Sequence, residues 1–366
     1  MKKVVFIVPQ LSQPRAIKRI ESISISGVGV KIYGFDNGLY KCNIDHLPFV
    51  VHEIIPRLKE ASRIAKVLFF IKTIRRIMRE NRNDTIFYFF GYEIGVLAYL
   101  LGCRQYVYEE ADVSAARVKN RLLHRLMLSL DRRVIYSSLL TVFTSGGFVD
   151  YIFANKAKSD NIILMPNKLS PYFDKKKKNL VDNKAIDYSK LKFGFIGLIR
   201  YPDTIIRFAK VVGKYFPQHE FHFYGDVERK EYLDSEVLSC QNVFFHGAFS
   251  NPTDLQKIYS GIDVNVVCYD TRSGNVQIAE PNKLYESIYF ETPIVVSNNT
   301  YLARRVVDLK VGSSIDASTN ESIISYIESL HDGYYDEILN RMKNVEIKTL
   351  IDNPDELISC IKQYIC

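Results

Sequence analysis

Apolar positions along the chain fall into short continuous runs separated by longer amphipathic stretches. "VVFIVP" (4–9), "VGVKIYGF" (28–35), "IFYFF" (86–90), "QYVYEE" (105–110), "LTVFTS" (140–145) and "NIILMPN" (161–167) predict strands. Stretches with helical periodicity lie between them, near 14–25, 57–80, 92–102, 115–133 and 147–156. Continuous apolar strands joined by helices predict a parallel sheet covered on both faces. The segment 85–102, "TIFYFFGYEIGVLAYLLG", is long enough to cross a bilayer, but it contains Glu93 and divides at Gly91. It reads as a buried strand followed by a buried helix.

The alternation stops at "NKLSPYFDKKKKNLVDNKAIDYS" (167–189), where a proline and four consecutive lysines replace apolar periodicity. It then restarts with strands at 191–197, 220–225, 242–247, 263–269 and 293–297, and helices near 202–216, 229–238, 252–260, 281–290, 299–308 and 319–330. The expected organisation is an α/β chain of two tandem Rossmann-like domains, 1–170 and 190–350, joined by a linker at 171–189. A closing helix at 351–366 is placed to pack back across them. Two such units face each other across a cleft at the carboxyl ends of their strands, where ligands bind in sheets of this kind.

At 366 residues with 47% hydrophobic and 13% aromatic content, the chain can bury full cores, which excludes global disorder. Six cysteines, at 42, 103, 240, 268, 360 and 366, form no CxxC pair, so reduced thiols in a cytoplasmic setting are expected. The opening "MKKVVFIVPQ" has only five apolar residues before Pro9, fewer than a signal peptide needs, and reads as a first strand. Charge is uneven. Residues 1–170 carry 26 Lys/Arg against 14 Asp/Glu, or +12, while the remainder carries 23 against 27, or −4. The amino-terminal half therefore suits anionic partners.

In "AEPNKLYESIYFETPIVVS" (279–297), Pro281 fits a helix's first turn, and Lys283 and Glu286 stand three apart on one face. A cation at the positive end of a helix is disfavoured unless something negative sits close by. A phosphate group there would suit Lys283, and Glu286 could accept hydrogen bonds from ribose hydroxyls. An ordinary Lys–Glu pair supporting the helix explains the spacing equally well. Gly197 and Arg200, in "FIGLIRYPDT", fit either a phosphate-binding strand–turn or a simple tight turn. Tyr224 could line a base pocket or belong to the core, and Gly225 fits a turn beside it.

The run "FGFIGLIRYPD", "FHFYG", "NVFFHGAFSNPTDLQKIYSGIDVNVVCY" and "EPNKLYESIYFETPIVVS", over about 191–300, resembles the donor-binding domain of GT-B glycosyltransferases of the bacterial capsule and surface-polysaccharide type. "PxKLYE…PIV" is the most specific element, and the first half follows the same architecture more loosely. The resemblance implies that Lys283 and Arg200 contact a donor diphosphate, that Glu286 meets the ribose, and that Gly197, Tyr224, Gly225, Glu280 and Asn282 line the donor site. Retaining members carry two glutamates separated by seven residues. Here Ile278 stands at the first position, and Glu280 is out of step.

No acidic pair is spaced to hold a metal, so a metal-independent, cofactor-free reaction is expected, with a nucleotide-sugar, UDP-linked in the first instance, as donor. The acid/base group is expected from "YEEADVSAAR" (108–117), with Glu110 and Asp112 as catalytic candidates at a strand's carboxyl end. Asp112 fits a helix cap equally well. A base is needed only if the reaction inverts. The helix at 57–80 has eight Lys/Arg, two Glu and an apolar stripe at 58, 61, 64, 67, 68, 71, 74, 77 and 78. It is expected to pack its stripe inward and turn its basic rim to an anionic membrane surface carrying a lipid-linked glycan acceptor. Two other readings remain open: a nucleotide-sugar epimerase or hydrolase of the same fold, and a non-catalytic nucleotide-sugar-binding subunit. Nucleic-acid binding is disfavoured for want of a reading motif.

Overall fold

A computed structural model describes residues 3–11, 13–36, 48–56, 58, 61–154, 156, 158–174 and 186–365. The chain divides into two compact units, Met1–Pro166 with Asn353–Cys366, and Asn167–Asp352.

The first unit has strands β1 (Lys3–Val8), β2 (Val30–Asp36), β3 (Glu53–Pro56), β4 (Thr85–Phe90), β5 (Tyr106–Glu110), β6 (Leu140–Phe143) and β7 (Ile162–Leu164). They form one sheet in the order β3-β2-β1-β4-β5-β6-β7, parallel throughout. Helices α1 (Pro14–Ile25), α2 (Arg63–Glu80), α3 (Tyr92–Leu100), α4 (Arg121–Ser137) and α5 (Gly146–Phe153) make the crossovers. Every residue of β4 and β5 is buried, as expected of strands covered on both faces. Strand order reverses between β1 and β4, so right-handed connections put α1 on one face and α2, α3, α4 and α5 on the other.

The second unit repeats the plan. Its strands are β8 (Lys192–Ile196), β9 (Glu220–Tyr224), β10 (Val243–Phe245), β11 (Val264–Val267), β12 (Ile294–Ser297) and β13 (Gly312–Ile315), in the order β10-β9-β8-β11-β12-β13. Helix α6 (Pro202–Tyr215) covers one face with α7 (Ser235–Ser239) and α12 (Asn320–Glu328). On the other face lie α8 (Leu255–Ser260), α10 (Lys283–Tyr289) and α11 (Tyr301–Leu309). The short α9 (Gly274–Ile278) precedes α10, and α13 (Asp336–Lys343) and α14 (Ile347–Leu350) follow α12.

Several boundaries differ from the sequence expectation. The stretch 171–174 is not linker: Pro171–Phe173 forms a 3-10 turn and Phe173 is buried in the second unit's core. Leu169 also packs in that core and pairs with Ile351. The lysine run lies at 175–178, outside the described residues. The closing helix α15 (Asp355–Ile365) returns to the first unit, with Leu357, Ile361 and Ile365 packed in one cluster with Val4, Phe6 and Ile20. The described cysteines, Cys103, Cys240, Cys268 and Cys360, are free thiols.

Helix α2 departs most from expectation. Ile74 and Ile77 are fully buried, but Ile64, Val67 and Leu68 stay exposed, so only the second half of the stripe packs inward. Length explains this. Eighteen helical residues span ~27 Å, whereas the six residues of β4 span ~20 Å, so one end of the helix overhangs the sheet.

Truncating Ile361 to alanine should lower the first unit's stability by about 2–5 kcal/mol, read by chemical denaturation, because the side chain is fully buried in the core. An unchanged midpoint would mean that α15 is not an integral part of that unit.

Candidate donor site and the first-unit carboxylates

The second sheet reverses strand order between β8 and β11. Three neighbouring strands end on glycine turns at its carboxyl edge. Gly197 follows β8, Gly225 follows β9, and Gly247 follows Phe245-His246 at the end of β10. Gly197 donates its amide to the Tyr224 carbonyl at 2.7 Å, and Gly225 donates to the Gly247 carbonyl at 2.7 Å. Gly197 and Gly225 adopt φ of +140° and +128°. A Cβ at Gly225 would stand 2.1 Å from the Gly197 carbonyl oxygen, a backbone atom that cannot swing aside. The turns therefore stack tightly and keep the edge free of side chains.

Lys283 enters beside this edge as the first residue of α10, its Cε 3.9 Å from where a Gly197 Cβ would be. The lysine is buried, and Nζ donates to Glu286 Oε2 at 2.7 Å. The negative group that makes a first-turn lysine tolerable is thus its own i+3 carboxylate. Glu286 is 1% exposed and also accepts from the Tyr259 hydroxyl at 2.8 Å and from the Asn282 amide. Behind it, Asn265 donates to the Ser287 hydroxyl at 2.8 Å and to the Tyr259 hydroxyl at 3.3 Å. Burial first, and then the Glu286 charge, push the Tyr259 hydroxyl well above its ordinary range, so it stays a donor to the carboxylate. Breaking a buried pair of this kind by removing one partner typically costs about 3–5 kcal/mol.

The remaining expected donor-site residues are placed as follows. Arg200 is half-exposed and pairs with Glu228 at 3.3 Å. Tyr224 stacks on His246 at 4.3 Å between ring centroids, in an edge ladder that includes His222 and Phe244. Glu280 is buried and turned inward, accepting from the Tyr285 hydroxyl and lying 3.6 Å from Arg305 Nε. The geometry therefore gives Glu280 an internal partner set rather than a place in an open pocket. Sequence reasoning missed two neighbours. Tyr269 is half-buried, and its hydroxyl is pushed up by desolvation and then by the nearby Glu286 charge, with Arg200 opposing; its ring meets that of Tyr201. Arg272 pairs with both Asp203 and Asp270. Neither residue stands in a recognisable spacing; only the fold assembles them.

In the first unit, Glu109 and Glu110 alternate faces on β5. Glu109 is held by Arg19 at 3.1 Å, Arg15 at 3.3 Å and the Tyr88 hydroxyl. Glu110 faces α4 and is fully buried against Asp131, whose Oδ1 accepts from the Tyr108 hydroxyl at 3.1 Å. Burial, reinforced by the Asp131 charge, raises Glu110 well above the carboxylate range, and burial pushes Asp131 up to about 7. The structure thus encloses Glu110 against Asp131 and does not turn it to an acceptor hydroxyl, unlike the acceptor-facing base expected from the sequence. Asp112 is exposed and pairs with Arg117 at 3.3 Å. It does not cap α4; that role belongs to Asn120, whose side chain accepts from the amides of Leu122 and Leu123 at 3.0 Å. Among the described residues, no group of three His, Cys, Asp or Glu could hold a metal ion.

Two parallel α/β units, the second with a lysine–glutamate pair at a glycine-lined strand edge, define the GT-B fold. The chain aligns over its full length with Anabaena Alr3699/HepE in complex with UDP and glucose (TM-score 0.69, 12% identity, 98% of that chain). It also aligns with WaaG, a glycosyltransferase involved in lipopolysaccharide biosynthesis (TM-score 0.68, 14% identity, 98% of this chain and 99% of that one). Residues 174–348 match the family described as Glycosyl transferases group 1. The succinoglycan biosynthesis protein ExoL of Rhizobium meliloti (strain 1021) is 20% identical over 361 residues, covering 93% of this chain and 88% of ExoL. The chain has the GT-B fold, and residues 174–348 of its second unit match the group 1 glycosyl transferases.

The internal acids make a pH prediction. Glu110 and Asp131 keep their protons in the fold to higher pH than in an unfolded chain, so folding takes up protons. Stability should fall as pH rises from about 4, the ordinary carboxyl range, through the folded value of Asp131 near 7. Thermal melts of Asp131→Asn should show less of this decline than the unsubstituted protein. Parallel profiles over that window would contradict the assignment.

Proposed function

We propose that the chain transfers a sugar from a UDP-sugar to a growing glycan carried on a membrane lipid, in surface-polysaccharide synthesis. The observation that carries this reading is the buried Lys283–Glu286 pair beside the Gly197 and Gly225 turns. A diphosphate arriving there gives the Lys283 amine a second, doubly charged partner, and Glu286 then has acceptor capacity for ribose hydroxyls. Arg200 exchanges its Glu228 contact for a phosphate oxygen. The UDP complexes of HepE support the choice of nucleotide, and the roles of ExoL in succinoglycan biosynthesis and of WaaG in lipopolysaccharide biosynthesis support polysaccharide assembly.

In the reaction, the bond between the anomeric carbon and the diphosphate oxygen breaks, and the bond to the acceptor hydroxyl oxygen forms. The electron pair leaves with the diphosphate, where Lys283 and Arg200 stabilise it. The acceptor proton departs to a carboxylate in an inverting reaction, and of the two first-unit candidates only the exposed Asp112 is accessible for it. Peripheral attachment to an anionic membrane through basic α2 brings the enzyme to its lipid-linked acceptor.

The test compares UDP with uridine by calorimetry and by thermal shift. UDP should raise the melting point by mass action. Lys283→Ala should weaken UDP about 10–100-fold while the uridine affinity changes much less, since a charge-assisted hydrogen bond contributes ~1.5–3 kcal/mol. If no UDP-, GDP-, dTDP- or CMP-linked sugar shifts the melting point and Lys283→Ala behaves like the parent, the proposal fails. Turnover of the UDP-sugar without any acceptor would instead indicate an epimerase or hydrolase.

A further inference from the structure

A second chain of hydrogen bonds ends at the carboxyl edge of the second sheet. Strand alternation and the β9–β10 register put Glu220, His222, Tyr224, Phe244 and His246 on one face. Tyr224 packs against the core cluster that includes α8, α10 and α11, so this is also the face from which Lys283 enters. His222 Nε2 lies 3.1 Å from Glu220 Oε2, and His222 Nδ1 lies 3.0 Å from His246 Nε2. His246 is exposed, directly precedes the Gly247 turn, and stacks its ring on Tyr224.

The carboxylate sets the proton positions along this chain. Glu220 only accepts, so His222 presents Nε2–H to it. Neutral His222 then has a bare Nδ1, so His246 presents Nε2–H in turn, and the Nδ1 of neutral His246 is left as an acceptor. Desolvation pushes both imidazoles below their ordinary range, with Glu220 opposing at His222. Glu220 is held low against its own burial by the hydrogen bonds of His222 and Lys190 and by the Lys192 charge. The titratable groups packed around the pair are Glu220 and Tyr224 on β9, with Lys190 and Lys192 reaching Glu220 at 3.3 and 3.8 Å.

The position of His246 suits a nucleobase. Gly197, beside the Lys283 side chain, and His246 stand at the ends of β8 and β10, two strand spacings or ~10 Å apart. Glu286, the ribose partner in the reading above, is hydrogen-bonded to Tyr259 of α8, the helix that follows β10. The end of α8 approaches Tyr224, whose hydroxyl is 3.6 Å from where a Gly261 Cβ would be. A nucleotide with its diphosphate at Lys283 and its ribose at Glu286 therefore carries its base toward Tyr224 and His246.

We propose that His246 reads the base of the donor: its Nδ1 accepts the N–H on the Watson–Crick edge of uracil, and Glu220 and His222 are positioning residues that keep it in the accepting tautomer. Cytosine presents a ring-nitrogen acceptor at the same place and would meet lone pair with lone pair. The proposal rests on the UDP-sugar reading above and adds a determinant of base selectivity to it.

Calorimetry with UDP, CDP, uridine and cytidine tests it. The unsubstituted protein should prefer UDP to CDP, and uridine to cytidine, about tenfold. His246→Phe, which keeps a ring on Tyr224, should bind both members of each pair alike. Glu220→Gln should do the same from the far end of the chain, because an amide serves either tautomer of His222 and so releases His246 from one. A merely structural Glu220 would leave the ratio intact. The ratio should also fall as pH drops from about 8 to about 5, where protonation turns Nδ1 into a donor, and His246→Phe should remove this dependence. Lys283→Ala should weaken UDP and CDP equally and keep the ratio, so failure of the diphosphate contact and failure of base reading are separate readouts. Equal affinity of the unsubstituted protein for UDP and CDP would overturn the proposal. So would a ratio that His246→Phe and Glu220→Gln leave unchanged, or binding of none of the four ligands.

Discussion

A lysine amine removed from water needs an anion beside it to keep its charge, and the second unit is arranged around that requirement. Lys283 is 6% exposed and begins a helix, so both burial and the backbone dipole oppose its charge. Glu286 supplies the compensation and is itself fixed by Tyr259 and Asn282, which locks the carboxylate in one orientation. The glycine turns remove the side chains that would otherwise fill the space in front of the amine. A charged group with its own satisfied partner can exchange that partner for a diphosphate without crossing an unpaired state, and this property suits a donor that must enter and leave on every turnover.

The two units use the same topology to different ends. In the second, the strand carboxyl edge is cleared and lined with cations that have carboxylate partners. In the first, the carboxylates of β5 are drawn inside. Glu109 is consumed by Arg15, Arg19 and Tyr88, and Glu110 shares an enclosed site with Asp131 and Tyr108. What the first unit presents instead is length mismatch. Helices longer than their strands overhang the sheet at one end, and their exposed starts are apolar with basic neighbours.

Most of the fold was legible in the sequence because long apolar runs and helical stripes are local signals. The missed strands show where that stops. β3, "EIIP", is four residues ending in proline, and β13, "GSSI", has no apolar run; each forms only because a neighbouring strand offers pairing. Helix α4 starts at Arg121 rather than near 115 because Asn120 is the better cap, following a separate 3-10 turn. Lys283 and Glu286 could be paired from their spacing alone. The fate of Glu110 could not, since it depends on Asp131, twenty-one residues away on another element, and the roles of Tyr269 and Arg272 are equally non-local.

The most direct test is a crystal structure of the protein with UDP bound. The account predicts Lys283 Nζ within about 3.5 Å of a diphosphate oxygen, hydrogen-bonding distance, with Glu286 turned to the ribose hydroxyls. A diphosphate bound elsewhere, with Lys283 still paired to Glu286 alone, would contradict it.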